Sequence, residues 1–157
     1  MYGLVVYESK FGNTQRVAEI IGRALGSYGS ARVVHVESPQ ALTPDNVDLL
    51  VIGGPTQAHG MSPGMRAYLE ATLGGVAPGM AAPFDTRLKG PGFLWGSAAK
   101  AIGDQLRRAG FQLVAPPASF LVEGMKEPRL VDGEAERAEA WAIEIGTHAV
   151  ALDPVAV

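Results

Sequence analysis

Short apolar runs alternate with helical patterns along the whole chain, and this alternation restricts the folds that the chain can adopt. When a helix separates two strands, it crosses over the sheet, and the two strands then run parallel. The runs that predict strands are 4–7, 32–36, 49–52, 79–84 and a last pair, 111–115 and 119–122, which flanks Pro116 and Pro117. The alternation therefore predicts an α/β fold, a doubly wound five-stranded parallel sheet with helices on both faces.

Apolar residues at helical spacing predict the helices between these runs. The predicted helices lie near 17–25, 65–73, 98–106 and 138–145. The run 49–52 is apolar at every position, which is typical of a central parallel strand that is buried on both faces. In such sheets a ligand binds at the carboxyl ends of the strands, where the strand order reverses. The loops after the first, third and fourth strands are therefore the candidate site.

The composition excludes several classes of function. A length of 157 residues predicts one domain, and 13 Lys and Arg against 16 Asp and Glu give a net charge of −3. That charge is unlike the basic surface of a protein that binds nucleic acid or a membrane, so we expect neither partner. The absence of cysteine and the wide spacing of the three histidines predict no metal site. The first residues lack the basic region of a signal peptide, and we expect a cytoplasmic protein.

The first candidate loop, 8–14, combines hydroxyl groups, an amide and a flexible glycine ahead of a predicted helix. Gly12 permits a tight turn, and the start of the helix favours an anion such as a phosphate. The loop lacks the glycine and lysine pattern of nucleoside triphosphatases and the glycine pattern of dinucleotide-binding proteins. Two interpretations remain open: Ser9, Asn13 and Thr14 form a phosphate cradle, or they only turn the chain and cap the helix.

Two motifs resemble those of the flavodoxin family. Ser9-x-x-Gly12-Asn13-Thr14 is similar to the loop that holds the FMN phosphate in that family, although Phe11 stands where a Thr is common. The segment 53–56, Gly-Gly-Pro-Thr, is similar to the one that opens the loop around the flavin ring. The resemblance covers nearly the whole chain and implies one short-chain flavodoxin-like domain over 1–157. It also implies the strand order 2-1-3-4-5 and FMN as the cofactor.

The same resemblance implies which residues contact the flavin. Flavodoxins place an aromatic residue where this chain has Gln57, and His59 is the nearest flat side chain that could cover the ring instead. Gly60 could turn its carbonyl toward the flavin N5. The third loop, 84–97, lacks the ring-stacking Tyr, and the aromatic residues that could replace it are Phe93 and Trp95. The full set of expected FMN contacts is Ser9, Lys10, Phe11, Gly12, Asn13, Thr14, Pro55, Thr56, Gln57, His59, Gly60, Asp85, Thr86, Phe93 and Trp95.

Three functions are compatible with these motifs. The first is an electron carrier that needs no catalytic acid or base, works between a reductase and an acceptor protein, and is a monomer or a weak dimer. The second is a flavin-dependent quinone reductase or a protoporphyrinogen-oxidase-like oxidoreductase, which the missing aromatic at Gln57 favours. The third is a flavodoxin-like domain without a cofactor. Arg87 and Lys89 are unusual in a flavodoxin loop and would stabilise a reduced, anionic flavin.

Overall fold

Parallel strands and helices alternate along residues 1–153, the part of the chain that the structure, a computed structural model, describes. The side chain of Phe93, an expected flavin contact, lies outside this description. In chain order the elements are β1 (Tyr2–Tyr7), α1 (Asn13–Leu25), β2 (Ser30–His35), α2 (Pro39–Leu42), β3 (Leu49–Gln57), β4 (Gly60–Met61), α3 (Pro63–Thr72), β5 (Met80–Leu88), α4 (Gly92–Trp95), α5 (Ala98–Arg108), β6 (Gln112–Leu113), β7 (Ala118–Glu123), β8 (Arg129–Leu130) and α6 (Glu134–Leu152).

The five long strands form one parallel sheet in the order β2-β1-β3-β5-β7. The predicted α/β fold class is therefore confirmed, and the long strands, counted alone, follow the order 2-1-3-4-5. The strand count differs in detail, because the sheet of the described residues also includes β4, β6 and β8, each two residues long. The run 111–115 forms only the short β6, since Pro116 and Pro117 lack the N–H groups that would continue the ladder.

Helices cover both faces of the sheet. Alternate residues of β3 enter opposite cores: Leu50 and Ile52 pack with α3 and α5, while Leu49 and Val51 pack with α1 and α6. This is the burial on two faces that the run 49–52 predicts. No helix of residues 1–153 is long and apolar enough to cross a membrane.

An aromatic cluster lies beneath the carboxyl edge of the sheet. The rings of Phe84, Phe120 and Trp141 meet edge to face, with centroids 5.9 to 6.2 Å apart. Gly53 is the register partner of Phe84 on the neighbouring strand, and a Cβ atom at Gly53 would overlap the Phe84 ring. The first glycine of the Gly-Gly-Pro-Thr motif is therefore required by core packing.

We predict that Gly53→Ala destabilises the protein by about 2–3 kcal/mol, because the Phe84 ring is enclosed and cannot move aside. Gly54→Ala is the matched control. Its Cβ would lie 3.3 Å from Cε of Met65, the flexible end of a side chain, and should cost less than about 1 kcal/mol. Urea unfolding of both variants measures the difference. Equal losses of stability would contradict this account of Gly53.

A buried carboxylate joins the start of α6 to β7. The Leu121 N–H donates to Oε2 of Glu134 at 2.6 Å, and Arg137 donates to both carboxylate oxygens at 3.0 and 2.8 Å. Arg137 also donates to the Ser119 carbonyl and lies 4.8 Å from the centre of the Phe120 ring. The hydrogen bonds from Arg137 hold the pKa of Glu134 below its ordinary value, although burial acts in the opposite direction.

We predict that Glu134→Gln lowers stability at neutral pH by about 1–2 kcal/mol, because a charged hydrogen-bond acceptor is lost. A lowered pKa in the folded state stabilises the protein above the pKa of the unfolded chain, and this contribution disappears as the pH falls through the folded value. The difference between wild type and variant should therefore vanish in acid. Glu136→Gln, in the same helical turn, is the control. A difference that stays constant from neutral pH to pH about 3 would refute the assignment.

Candidate functional site

A cleft of about 210 Å³ lies at the carboxyl edge of the sheet, where β1, β3, β5 and β7 end. The first loop and the residues that follow the predicted third strand both border it. This agrees with the expectation that a ligand binds at the carboxyl ends of the parallel strands. The lining residues are Ser9, Lys10, Phe11, Asn13, Thr14, Pro55, Thr56, Gln57, Thr86, Arg87, Leu88, Val122, Gly124, Met125 and Pro128.

The start of α1 faces this cleft without a side-chain cap. Gly12 is the residue before the helix, with a φ of +90° that favours glycine, and no side chain accepts a hydrogen bond from the first turn. By contrast, Ser62 and Ser97 cap α3 and α5. Of the alternative interpretation, the capping of α1 by Ser9, Asn13 or Thr14 is therefore wrong, whereas Ser9 does turn the chain, since its Oγ accepts from the Gly12 N–H. The first N–H groups of α1 are left to bind an anion.

Hydroxyl groups surround this helix start. Ser9 Oγ accepts a hydrogen bond from the Gly12 N–H at 3.0 Å, so the proton of Ser9 itself stays available to a ligand. The hydroxyls of Thr14 and Thr86 lie 2.7 Å apart, and whichever of them accepts keeps its own proton for a second bond. Both threonines are buried, which fixes their positions. The arrangement is a set of neutral donors beside a positive helix end.

Asp85 does not line the cleft but lies fully buried behind it. Its Oδ2 accepts hydrogen bonds from Thr56 Oγ1 at 3.1 Å, Ser97 Oγ at 2.7 Å and the Ala99 N–H at 2.9 Å. Thr56 Oγ1 in turn accepts from the Ala98 N–H at 2.9 Å. Asp85 therefore joins the ends of β3 and β5 to the start of α5, and it holds Thr56 at the cleft wall.

The residues that follow the predicted third strand form a hairpin, whereas the sequence predicts a loop there. β3 continues to Gln57 and pairs with β4, so that Ala58 and His59 form the two-residue turn. Both have positive φ, 46° and 71°, the conformation of the tight turns that match strand twist. His59 and Gly60 lie outside the cleft lining, and the backbone of His59 instead packs closely against Gly96.

The third loop is shorter than predicted, because β5 runs on to Leu88 and α4 follows it. Trp95 lies outside the cleft lining, against Gly90, and is 38% exposed. Arg87 does line the cleft, and its buried Nε and Nη1 have no hydrogen-bond partner. A cation with unpaired buried donors is costly, so a ligand acceptor near this side chain would be favourable.

Sequence reasoning missed one wall of the cleft. Val122, Gly124, Met125 and Pro128 come from the end of β7 and the turn into β8. The Asn13 side chain, expected at a phosphate, donates to the Pro128 carbonyl at 2.8 Å and ties this wall to the first loop. The sequence pattern could have indicated this wall, because the turn also follows the carboxyl end of a parallel strand.

Comparison with known proteins identifies the fold. No protein-family model and no curated protein sequence matches the chain. Among solved structures, a flavodoxin from the domain Archaea matches with a TM-score of 0.74 and 18% identity over 95% of this chain and 99% of its own. Flavodoxin 1 from Bacillus cereus matches with a TM-score of 0.78 and 18% identity, over 94% and 99%.

A larger protein contains the same architecture as one part. The flavodiiron protein from Giardia intestinalis matches with a TM-score of 0.75 and 20% identity over 96% of this chain but 36% of its own. The chain thus spans about a third of that protein. The flavodoxin-like fold that the two motifs predict is confirmed, at an identity that shows the fold alone.

We predict that Asp85→Ala destabilises the protein by about 3 kcal/mol, because the donors of Thr56, Ser97 and Ala99 lose their shared buried acceptor. Asp104→Ala is the control, since Asp104 makes only an exposed ion pair with Arg107 at 3.6 Å and should cost less than about 0.5 kcal/mol. Thermal unfolding followed by circular dichroism compares the two. A loss for Asp85→Ala as small as the control's would show that the carboxylate does not hold these elements together.

Proposed function

We propose that the chain binds FMN in this cleft and carries electrons between proteins. The observation that carries the proposal is the uncapped start of α1, with the hydroxyls of Ser9 and Thr14 beside it, at the mouth of a cleft in a flavodoxin-like fold. A phosphate suits this set of donors, because neutral N–H and O–H groups at a helix start bind an anion without a paired cation.

The residues of the cleft fit the other parts of FMN as well. Half-buried Pro55, Thr56 and Gln57 offer an apolar edge followed by polar groups, which suits a ring system with carbonyl and N–H groups on one side. Arg87 has unpaired buried donors beside the cleft. Lys10 also lines the cleft; it is exposed, and its Nζ lies 5.3 Å from the Phe11 ring centre.

The size of the cleft suits a carrier. Its volume, about 210 Å³, is below the ~300–1,000 Å³ of pockets that enclose a drug-sized ligand. Part of FMN would therefore stay uncovered, and an uncovered ring edge lets electrons pass to another protein. When bound, FMN supplies the one- and two-electron chemistry, and the chain holds it and excludes water from part of it.

The partners in this proposal are a reductase and an acceptor protein. A net charge of −3 steers such partners only weakly, so docking would depend on apolar contacts. Phe11, Leu94 and Trp95 are exposed, and Phe11 lies at the cleft itself. As a carrier, the chain would act as a single 1–157 domain in the cytoplasm, as a monomer or a weak dimer.

One observation favours a second candidate, a flavin-dependent quinone reductase. Gln57 lines the cleft and is only half buried, where the resemblance leads us to expect an aromatic residue. A ring face without a stacked aromatic leaves space for a small second substrate. Quinone-dependent oxidation of a nicotinamide donor by the FMN-loaded protein would favour this candidate over the carrier.

We predict that Thr14→Ala weakens FMN binding by about 1–3 kcal/mol and leaves riboflavin binding nearly unchanged, because only FMN carries the phosphate. Gln15→Ala is the control, since Gln15 is exposed and its side chain bonds only to Glu19 in the same helix. Fluorescence titration of each variant with each flavin measures the affinities. Equal losses for the two flavins would contradict a phosphate site at the start of α1.

A further inference from the structure

The wall that sequence reasoning missed is a compact turn between the last two strands. β7 and β8 pair antiparallel, Val122 with Leu130 and Glu123 with Arg129, which leaves residues 124–128 as the connecting turn. Gly124 has a φ of +99°, and a Cβ atom there would lie 3.0 Å from the Glu127 carbonyl oxygen. The 124–128 turn is therefore folded back on itself at the end of the sheet.

A long-range hydrogen bond fixes this turn to the first loop. Asn13 Nδ2 donates to the Pro128 carbonyl oxygen at 2.8 Å, across 115 residues of sequence. Asn13 is also the first residue of α1, whose uncapped start is the proposed phosphate site. The phosphate site and the 124–128 turn are thus held together on the same side of the cleft.

Met125 is the exposed apolar side chain of this turn. It is 81% exposed and lines the cleft beside Val122 and Leu88. A thioether side chain is flexible and polarizable, and it makes favourable contacts with aromatic rings. Of the flat side chains that the sequence offers for the flavin ring, His59 and Trp95 do not line the cleft, and the side chain of Phe93 lies outside the described part of the structure.

We propose that the 124–128 turn is the wall that contacts the flavin ring, with Met125 as the contacting side chain. The inference rests on the proposed FMN function, and it adds the part of the chain that covers the ring. The turn adds an apolar contact beyond those that the flavodoxin resemblance leads one to expect from the second and third loops. Met125 is then exposed in the protein without flavin because it belongs to the surface that contacts the ligand.

A ring contact and a phosphate contact differ in what they recognise. FMN and riboflavin share the ring, so a change at Met125 should alter the affinity for both flavins by the same factor. A change at Thr14 should alter the affinity for FMN alone. Comparing the two flavins therefore separates the roles of the two sites.

Titration of both flavins into Met125→Ala and Met125→Leu tests the proposal. The alanine variant should bind FMN and riboflavin each about tenfold more weakly, and the leucine variant, which keeps the apolar volume, should bind within about threefold of wild type. The controls are Leu94→Ala and Leu152→Ala, which remove exposed apolar side chains outside the cleft lining. Neither control should change either affinity by more than about twofold.

Oxidation of methionine gives a second measurement that needs no substitution. Dilute peroxide in the dark should convert exposed Met125 to its sulfoxide, and saturating FMN should slow that reaction about fivefold. Met1, at the opposite edge of the sheet, is the internal control and should react at the same rate with and without FMN. Peptide mass spectrometry follows both residues.

The outcomes separate this inference from the function on which it rests. If the unaltered chain binds neither flavin, both are overturned. If it binds FMN tightly while Met125→Ala keeps wild-type affinity and FMN leaves the oxidation of Met125 unchanged, only the ring-contacting turn is overturned. The inference is supported if Met125→Ala weakens the binding of both flavins equally and if FMN slows the oxidation of Met125.

Discussion

Parallel strands end at the same edge of a sheet, and the candidate site depends on this geometric constraint. Four strand ends bring together groups that are far apart in sequence: Ser9 after β1, Thr56 in β3, Thr86 in β5 and Met125 after β7. Three of these ends, those of β3, β5 and β7, are anchored from behind by buried carboxylates. Asp85 joins β3 and β5 to α5, and Glu134 joins β7 to α6. The cleft is therefore supported by buried carboxylates that do not line it.

Much of the architecture could be predicted from the sequence, because apolar periodicity reports directly which faces are buried. The run 49–52 predicts a central strand, and its residues do enter both cores. Strand ends are harder to predict, because pairing with a neighbour extends a strand past its apolar run. β5 reaches Leu88 through pairing with β7, and β3 reaches Gln57 through the hairpin with β4. These extensions place Leu88 in the cleft and Trp95 outside its lining.

The roles of individual polar residues were less predictable, because they depend on contacts between distant segments. The sequence predicts Asp85 as a flavin contact, yet its Oδ2 accepts hydrogen bonds from donors of two other elements. Asn13 belongs to a phosphate-loop motif, but its amide bonds to Pro128. Motif position sets which edge of the fold a residue occupies, while packing sets what its side chain does. The flavodoxin-like fold is accordingly confirmed, and FMN binding and electron transfer remain proposals about the cleft.

The central claim is that the start of α1 binds the phosphate of a flavin. Two-dimensional ¹H–¹⁵N NMR of the uniformly labelled protein, titrated with FMN, tests it at the backbone groups concerned. The amide resonances of 13–15 should move strongly with FMN and much less with riboflavin, while those of 124–128 should move with both. It is contradicted if saturating FMN leaves the amides of 13–15 unmoved, or if both flavins move them equally.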